Sequence, residues 1–91
     1  MMPEIVREVK LENQLGLHAR PAARFVQLTS RFNSEIILKR GTDEVNGKSI
    51  MGVLMLAAPC GSIITIIARG EDAEMAVDEI EGLFKSGFGE E

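Results

Sequence analysis

Ninety-one residues, 45% hydrophobic and 26% charged, suit one small soluble domain spanning 1–91, with no room for a second core and none of the bias of a disordered chain. A net charge of −4 without any Lys/Arg run excludes nucleic acid as a partner, because phosphate backbones are held by clustered cations. No stretch reaches the roughly 18 to 20 apolar residues of a membrane span and MMPEIVREVK lacks a signal-peptide core, so a cytoplasmic protein without membrane insertion is expected.

IVREVKL, residues 5–11, reads as a strand with Ile5, Val9 and Leu11 on one face and Arg7 as the exception. After ENQLGL, the segment from Arg20 to Phe32 sets Ala22, Phe25, Val26, Thr29 and Phe32 at helical spacing. Pro21 fits its first turn, where a missing N–H costs nothing. Arg20, Arg24 and Arg31 suggest a local basic patch on that helix.

SEIILKR, residues 34–40, predicts a second strand, and Glu44-Val45 before the Asn46-Gly47 turn a short third one in a hairpin. Ser49 is a standard N-cap type heading IMGVLMLAA, where Ile50, Val53, Leu54 and Ala57 are expected to face the core and Met51 and Met55 to lie elsewhere. SIITIIAR, residues 62–69, has the near-continuous apolar run of a central strand. Ala73, Ala76, Val77, Ile80, Leu83 and Phe84 make the clearest helical stripe, with acids in its first turn, Lys85 near its end and Gly87 beyond. The order βαββαβα implies an α+β two-layer architecture, a sheet covered by helices on one face and open on the other.

The single cysteine, Cys60, excludes an intramolecular disulfide and, lacking companion ligands, a zinc site, so a buried or half-buried structural thiol is expected. NGKS ends like a nucleotide-binding phosphate loop, but the place five residues before Gly47 holds Thr42, and nucleotide binding is rejected. No metal or cofactor is implied.

The only histidine stands in GLHARPAA, residues 16–23. The predicted helix begins just after His18, so the free N–H groups of Ala19 and Arg20 and the positive helix end form an anion site beside a nucleophilic imidazole. Arg20 adds a guanidinium whose planar fork suits phosphate oxygens. This arrangement fits reversible phosphorylation of His18; a polar helix cap explains the same residue equally well on these grounds. With no second histidine, no Cys-His spacing and no nucleophile elbow, a stand-alone enzyme is disfavoured. Met51, left off the inward face, is read as interface.

GLHARPAA, together with GKSIMGVL at residues 47–54, resembles the active-site and regulatory-serine motifs of the HPr family, histidine-containing phosphocarriers of the bacterial phosphoenolpyruvate-dependent sugar phosphotransferase system. The resemblance covers essentially the whole chain. It implies an open-faced β-sandwich of four antiparallel strands and three helices. It also implies a carrier whose His18 accepts a phosphoryl group on Nδ1 from phosphorylated Enzyme I and passes it to Enzyme IIA proteins, with Arg20 and the backbone of Ala19 and Arg20 on the phosphate. Ser49 matches the site modified by HPr kinase/phosphorylase. Ile50, Met51 and Leu54 match the apolar docking patch, with Lys48 beside it and Arg24 and Gln27 on the adjoining helix, in a protein expected to be monomeric. LFKSGFGEE resembles the nitrogen-related paralogue NPr, whereas GKSIMGVL resembles the sugar-system proteins. A nitrogen-branch carrier and a mainly regulatory binding module are therefore the alternatives, the presence of His18 disfavouring the second.

Overall fold

The two periodicities of the sequence, alternation in the strands and a 3.6-residue stripe in the helices, resolve into one layer each. The computed structural model describes residues 2–90. In chain order the elements are β1 (Glu4–Lys10), α1 (Ala19–Thr29), β2 (Glu35–Arg40), β3 (Asp43–Asn46), α2 (Ile50–Met55), β4 (Ile63–Arg69) and α3 (Ala73–Lys85), followed by a 3₁₀ turn at Gly87–Gly89. The strands form one antiparallel sheet, ordered β1-β4-β2-β3, and the helices cover one face of it, the expected βαββαβα open-faced sandwich.

β4 lies between β1 and β2 because its apolar run offers a partner surface on both edges. Ile64 faces Val9, Ile66 faces Leu38, and Ala68 faces Ile36, all buried under the helices. The alternate residues Ile63 and Val6 point to the open face and are exposed. Arg7, the exception in the β1 pattern, does face inward, but at the margin of the sheet, where its guanidinium reaches Asp78 at 2.7 Å and Glu81 at 3.0 Å on α3. A long side chain can bury its stem there while keeping its charge paired.

Ala22, Phe25 and Thr29 of α1 and Ala73, Ala76, Val77, Ile80 and Phe84 of α3 are buried. Phe25 and Phe84 meet edge to face, with ring centroids 6.1 Å apart, which locks the two helices together through the middle of the core. Asp72, at the head of α3, spends its carboxylate on a different segment. It accepts the backbone N–H of Asn33 at 2.8 Å, that of Ser34 at 2.9 Å and the Ser34 hydroxyl, tying the start of β2 to the start of α3.

Four expectations need correction. α1 begins one residue earlier than Arg20 and ends at Thr29; Phe32 is still buried, from the loop beyond. α2 stops at Met55, and Ala57 turns into the left-handed region at φ 52°, so the chain swings round and buries Leu56, 1% exposed, and Ala58 in place of Ala57. Ile50, in the first turn of α2, is exposed instead of facing the core. Cys60 is exposed, in the loop where Pro59 and Gly61 reverse the chain, its Sγ 3.6 Å from the carbonyl of Glu12.

The Ser34 hydroxyl and the N–H groups of Asn33 and Ser34 hold the Asp72 carboxyl below its ordinary pKa. A carboxyl that is more acidic in the folded state stabilises the fold at every pH above the unfolded-state value, about 3.9, and that contribution is lost as the pH falls through it and below. Asp72→Asn is expected to lower the Tm at pH 7 and to flatten its dependence on pH between about 5 and 2. Thermal unfolding across that range checks both.

Candidate functional site

The loop that delivers His18 is fixed by backbone contacts. Gly16 adopts φ 72°, and a Cβ on it would collide with the carbonyl of Ala58, so a left-handed glycine is needed on both counts. The Leu17 N–H donates to the Ala58 carbonyl at 3.0 Å while its side chain is buried, and the buried Asn13 amide donates to the Gly16 carbonyl at 2.7 Å. The loop is thus held against the exit of α2.

His18 is the N-cap residue of α1, with extended backbone at φ −82° and ψ −168°. Its carbonyl accepts the first helical bond, from Ala22 at 3.0 Å, but its side chain does not cap the helix. The N–H groups of Ala19 and Arg20 find no acceptor among the described residues, and Pro21 has none to offer. The ring is 36% exposed, and its Nε2 lies 3.3 Å and 3.2 Å from the two carboxylate oxygens of Glu90. No described residue bonds Nδ1, which leaves its lone pair without a protein partner among them.

Arg20, one residue past Ala19, is exposed, and its side chain pairs with no described residue. The other two arginines of α1 and its exit do not join it. Arg24 donates to the carbonyl of Phe88, and Arg31 pairs with Glu79 at 3.0 Å, so the expected basic patch narrows to Arg20 and the open helix end.

Ser49 caps α2, its Oγ accepting the Gly52 N–H at 3.1 Å. Lys48 beside it sends its ammonium inward to the Phe32 carbonyl at 2.6 Å. Met51 and Met55 are 68% and 75% exposed, Ile50 is exposed and Leu54 half-buried, which leaves an apolar ridge along α2. α2 packs against α1, on which Gln27 is exposed. Six residues make α2 about 9 Å long, with Ser49 at its start and the anchor of the His18 loop, Ala58, just past its end.

Sequence reasoning missed two residues at the site. Asn13 and Glu90 carry no local pattern and meet His18 only through the fold.

An open-faced sandwich with an uncapped helix end beside one half-exposed imidazole defines a class, and comparison with known proteins gives the family. A family profile described as "PTS HPr component phosphorylation site" matches residues 5–86. The phosphocarrier protein HPr of Treponema pallidum is 49% identical over 87 residues, 96% of this chain and 99% of the relative. The phosphocarrier protein NPr of Shewanella violacea is 38% identical over 89 residues, 98% of each. A crystal structure of HPr from Thermoanaerobacter tengcongensis superposes with a TM-score of 0.89 at 42% identity, covering 99% of both chains. The chain belongs to the HPr family of phosphocarrier proteins of the phosphotransferase system.

Burial separates packing residues from surface ones along α2 and its exit. Leu56→Ala is expected to cost about 2 to 5 kcal/mol by opening a cavity, and Met51→Asp less than about 0.5 kcal/mol. Chemical denaturation of the two variants beside the parent protein checks the contrast.

Proposed function

We propose that this protein accepts a phosphoryl group on Nδ1 of His18 from phosphorylated Enzyme I and passes it to Enzyme IIA proteins of the sugar phosphotransferase system. The observation that supports this reading is the half-exposed His18 ring at an uncapped helix N-terminus, beside the Ala19 and Arg20 amides and the Arg20 guanidinium, with Nδ1, those amides and that guanidinium finding no partner among the described residues. In phosphoryl transfer charge spreads over the three equatorial oxygens, and catalysis consists mainly of positioning and of donors aimed at that charge. Backbone N–H groups at a helix end and a guanidinium supply such donors without reorganising.

The protein is a covalent carrier instead of a stand-alone enzyme: the same nitrogen that takes the group must give it up, so the site holds phosphate without burying it. Partners dock on the ridge of Ile50, Met51 and Leu54, with Gln27 beside it and the side chains of Arg24 and Lys48, whose charged ends are turned to the Phe88 and Phe32 carbonyls, at its margin. Ser49 is a regulatory phosphorylation site for HPr kinase/phosphorylase. A phosphate there adds about −1.5 to −2 charges at the head of that apolar ridge, where it gains from the α2 N-terminus and repels an apolar or acidic partner surface.

A second reading, a nitrogen-branch carrier, rests on the resemblance of LFKSGFGEE to the nitrogen-related paralogue, and an NPr protein is 38% identical over 98% of each chain. The donor separates the two: a sugar-branch carrier is labelled faster by the sugar-system Enzyme I, a nitrogen-branch carrier by its nitrogen-system homologue.

Incubation with phosphoenolpyruvate and each Enzyme I in parallel is expected to add one acid-labile phosphate, absent from His18→Ala. Arg20→Ala is expected to slow acceptance about 10²-fold, the scale of losing one oxyanion donor, while changing stability by less than about 0.5 kcal/mol. An acid-stable phosphate alone, placed on Ser49 with ATP, would instead identify a regulatory module.

A further inference from the structure

Beyond Phe84 the chain does not trail away. Gly87, Phe88 and Gly89 all take positive φ, at 64°, 59° and 73°, which turns the segment back toward α1. A phenylalanine in the left-handed region is strained, and here it is held by burial: Phe88 is 1% exposed and its ring lies 4.9 Å, centroid to centroid, from that of Phe84. Arg24 donates to the Phe88 carbonyl, and a Cβ at Gly89 would fall 2.6 Å from that guanidinium, so glycine leaves the space the arginine occupies. This strap places Glu90 beside His18.

The carboxylate is held from two sides. The Asn13 Nδ2 donates to Glu90 Oε1 at 3.2 Å as well as to the Gly16 carbonyl at 2.7 Å, and both carboxylate oxygens straddle His18 Nε2 at 3.2 to 3.3 Å. Asn13 is 94% buried by its 6% exposure, and its orientation is dictated, because the opposite amide placement would aim an oxygen at two oxygens. A carboxylate accepts, so the ring nitrogen facing it must donate.

We propose that Glu90, steadied by Asn13, is a positioning residue for phosphoryl transfer: it fixes His18 in the tautomer that carries hydrogen on Nε2 and leaves the lone pair on Nδ1. This rests on the phosphocarrier reading. In the transfer step the Nδ1 lone pair forms the new bond to phosphorus while the bond from phosphorus to the donor's leaving atom breaks, its electron pair returning to the donor. The Nε2 proton stays on the ring, so the imidazole gains a positive charge that Glu90 meets on one edge and the phosphoryl oxygens meet on the other. A carboxylate behind an imidazole sets ring orientation and tautomer in this way in many sites.

The test uses the full chain with ¹⁵N-labelled histidine, read by long-range ¹H–¹⁵N correlation with the ring neutral, together with steady-state phosphorylation by Enzyme I. The parent protein is expected to show hydrogen on Nε2 alone. Glu90→Gln, which keeps an acceptor oxygen, is expected to retain that pattern, whereas Glu90→Ala and Asn13→Ala shift toward the mixed pattern of free imidazole. Glu90→Ala is expected to lower kcat for phosphoryl acceptance about 10-fold at unchanged KM, with Glu90→Gln recovering part of the loss. Identical ring shifts in Glu90→Ala and the parent, hydrogen on Nδ1 in the parent, or kcat for Glu90→Ala within twofold of the parent would each overturn the role. Tautomer shifts in the variants of a protein that takes no phosphate from either Enzyme I would uphold the positioning and refute the phosphocarrier reading.

Discussion

A helix that starts without a side-chain cap is the constraint from which the site follows. Most helices close their first turn with Ser, Thr, Asp or Asn, and α2 does so with Ser49. α1 has His18 in that place, and the Ala19 and Arg20 amides find no acceptor among the described residues. Those open donors cost stability that an ordinary cap supplies, typically about 1 kcal/mol, and the helix persists because Ala22, Phe25 and Thr29 are buried against the rest of the core. Packing strength in the middle of α1 thus permits an unfinished end, and the unfinished end is where an anion is attracted.

The charges around that end are arranged by pairing. The chain is acidic overall, yet several of its acids are paired away from that end: Asp78 and Glu81 with Arg7, Glu4 and Glu35 with Arg69, Glu79 with Arg31. Arg24 is spent on the Phe88 carbonyl, which anchors the C-terminal strap. Arg20 is left facing water beside the helix end. Among the described acids Glu90 is the one paired with the imidazole, at Nε2, and in the role proposed for it the ring is ordered while Nδ1 is left to the anion.

Much of this was legible in the sequence. The α3 stripe and the β4 run read correctly because each repeats one period over many residues, and GLHARPAA and GKSIMGVL named their own neighbourhoods. Ser49 announced its cap by residue type. The end of α2 is not legible, because periodicity does not reveal that Ala57 turns left-handed, which puts Leu56 in the core in place of Ala57. The exposure of Cys60 is not legible from its lack of disulfide or metal partners; it follows from the reversal of the chain at Pro59 and Gly61. Glu90 and Asn13 were illegible: 72 residues separate His18 from Glu90, and only the reversal at Gly87–Gly89 closes that gap.

The central claim is that the outward edge of a single imidazole, Nδ1, takes the phosphoryl group. Its most direct test is to phosphorylate the ¹⁵N-histidine protein with phosphoenolpyruvate and Enzyme I and identify the ring nitrogen coupled to ³¹P. Coupling at Nδ1 of His18 is the predicted result. Coupling at Nε2, or phosphate on any residue other than His18, would contradict the account.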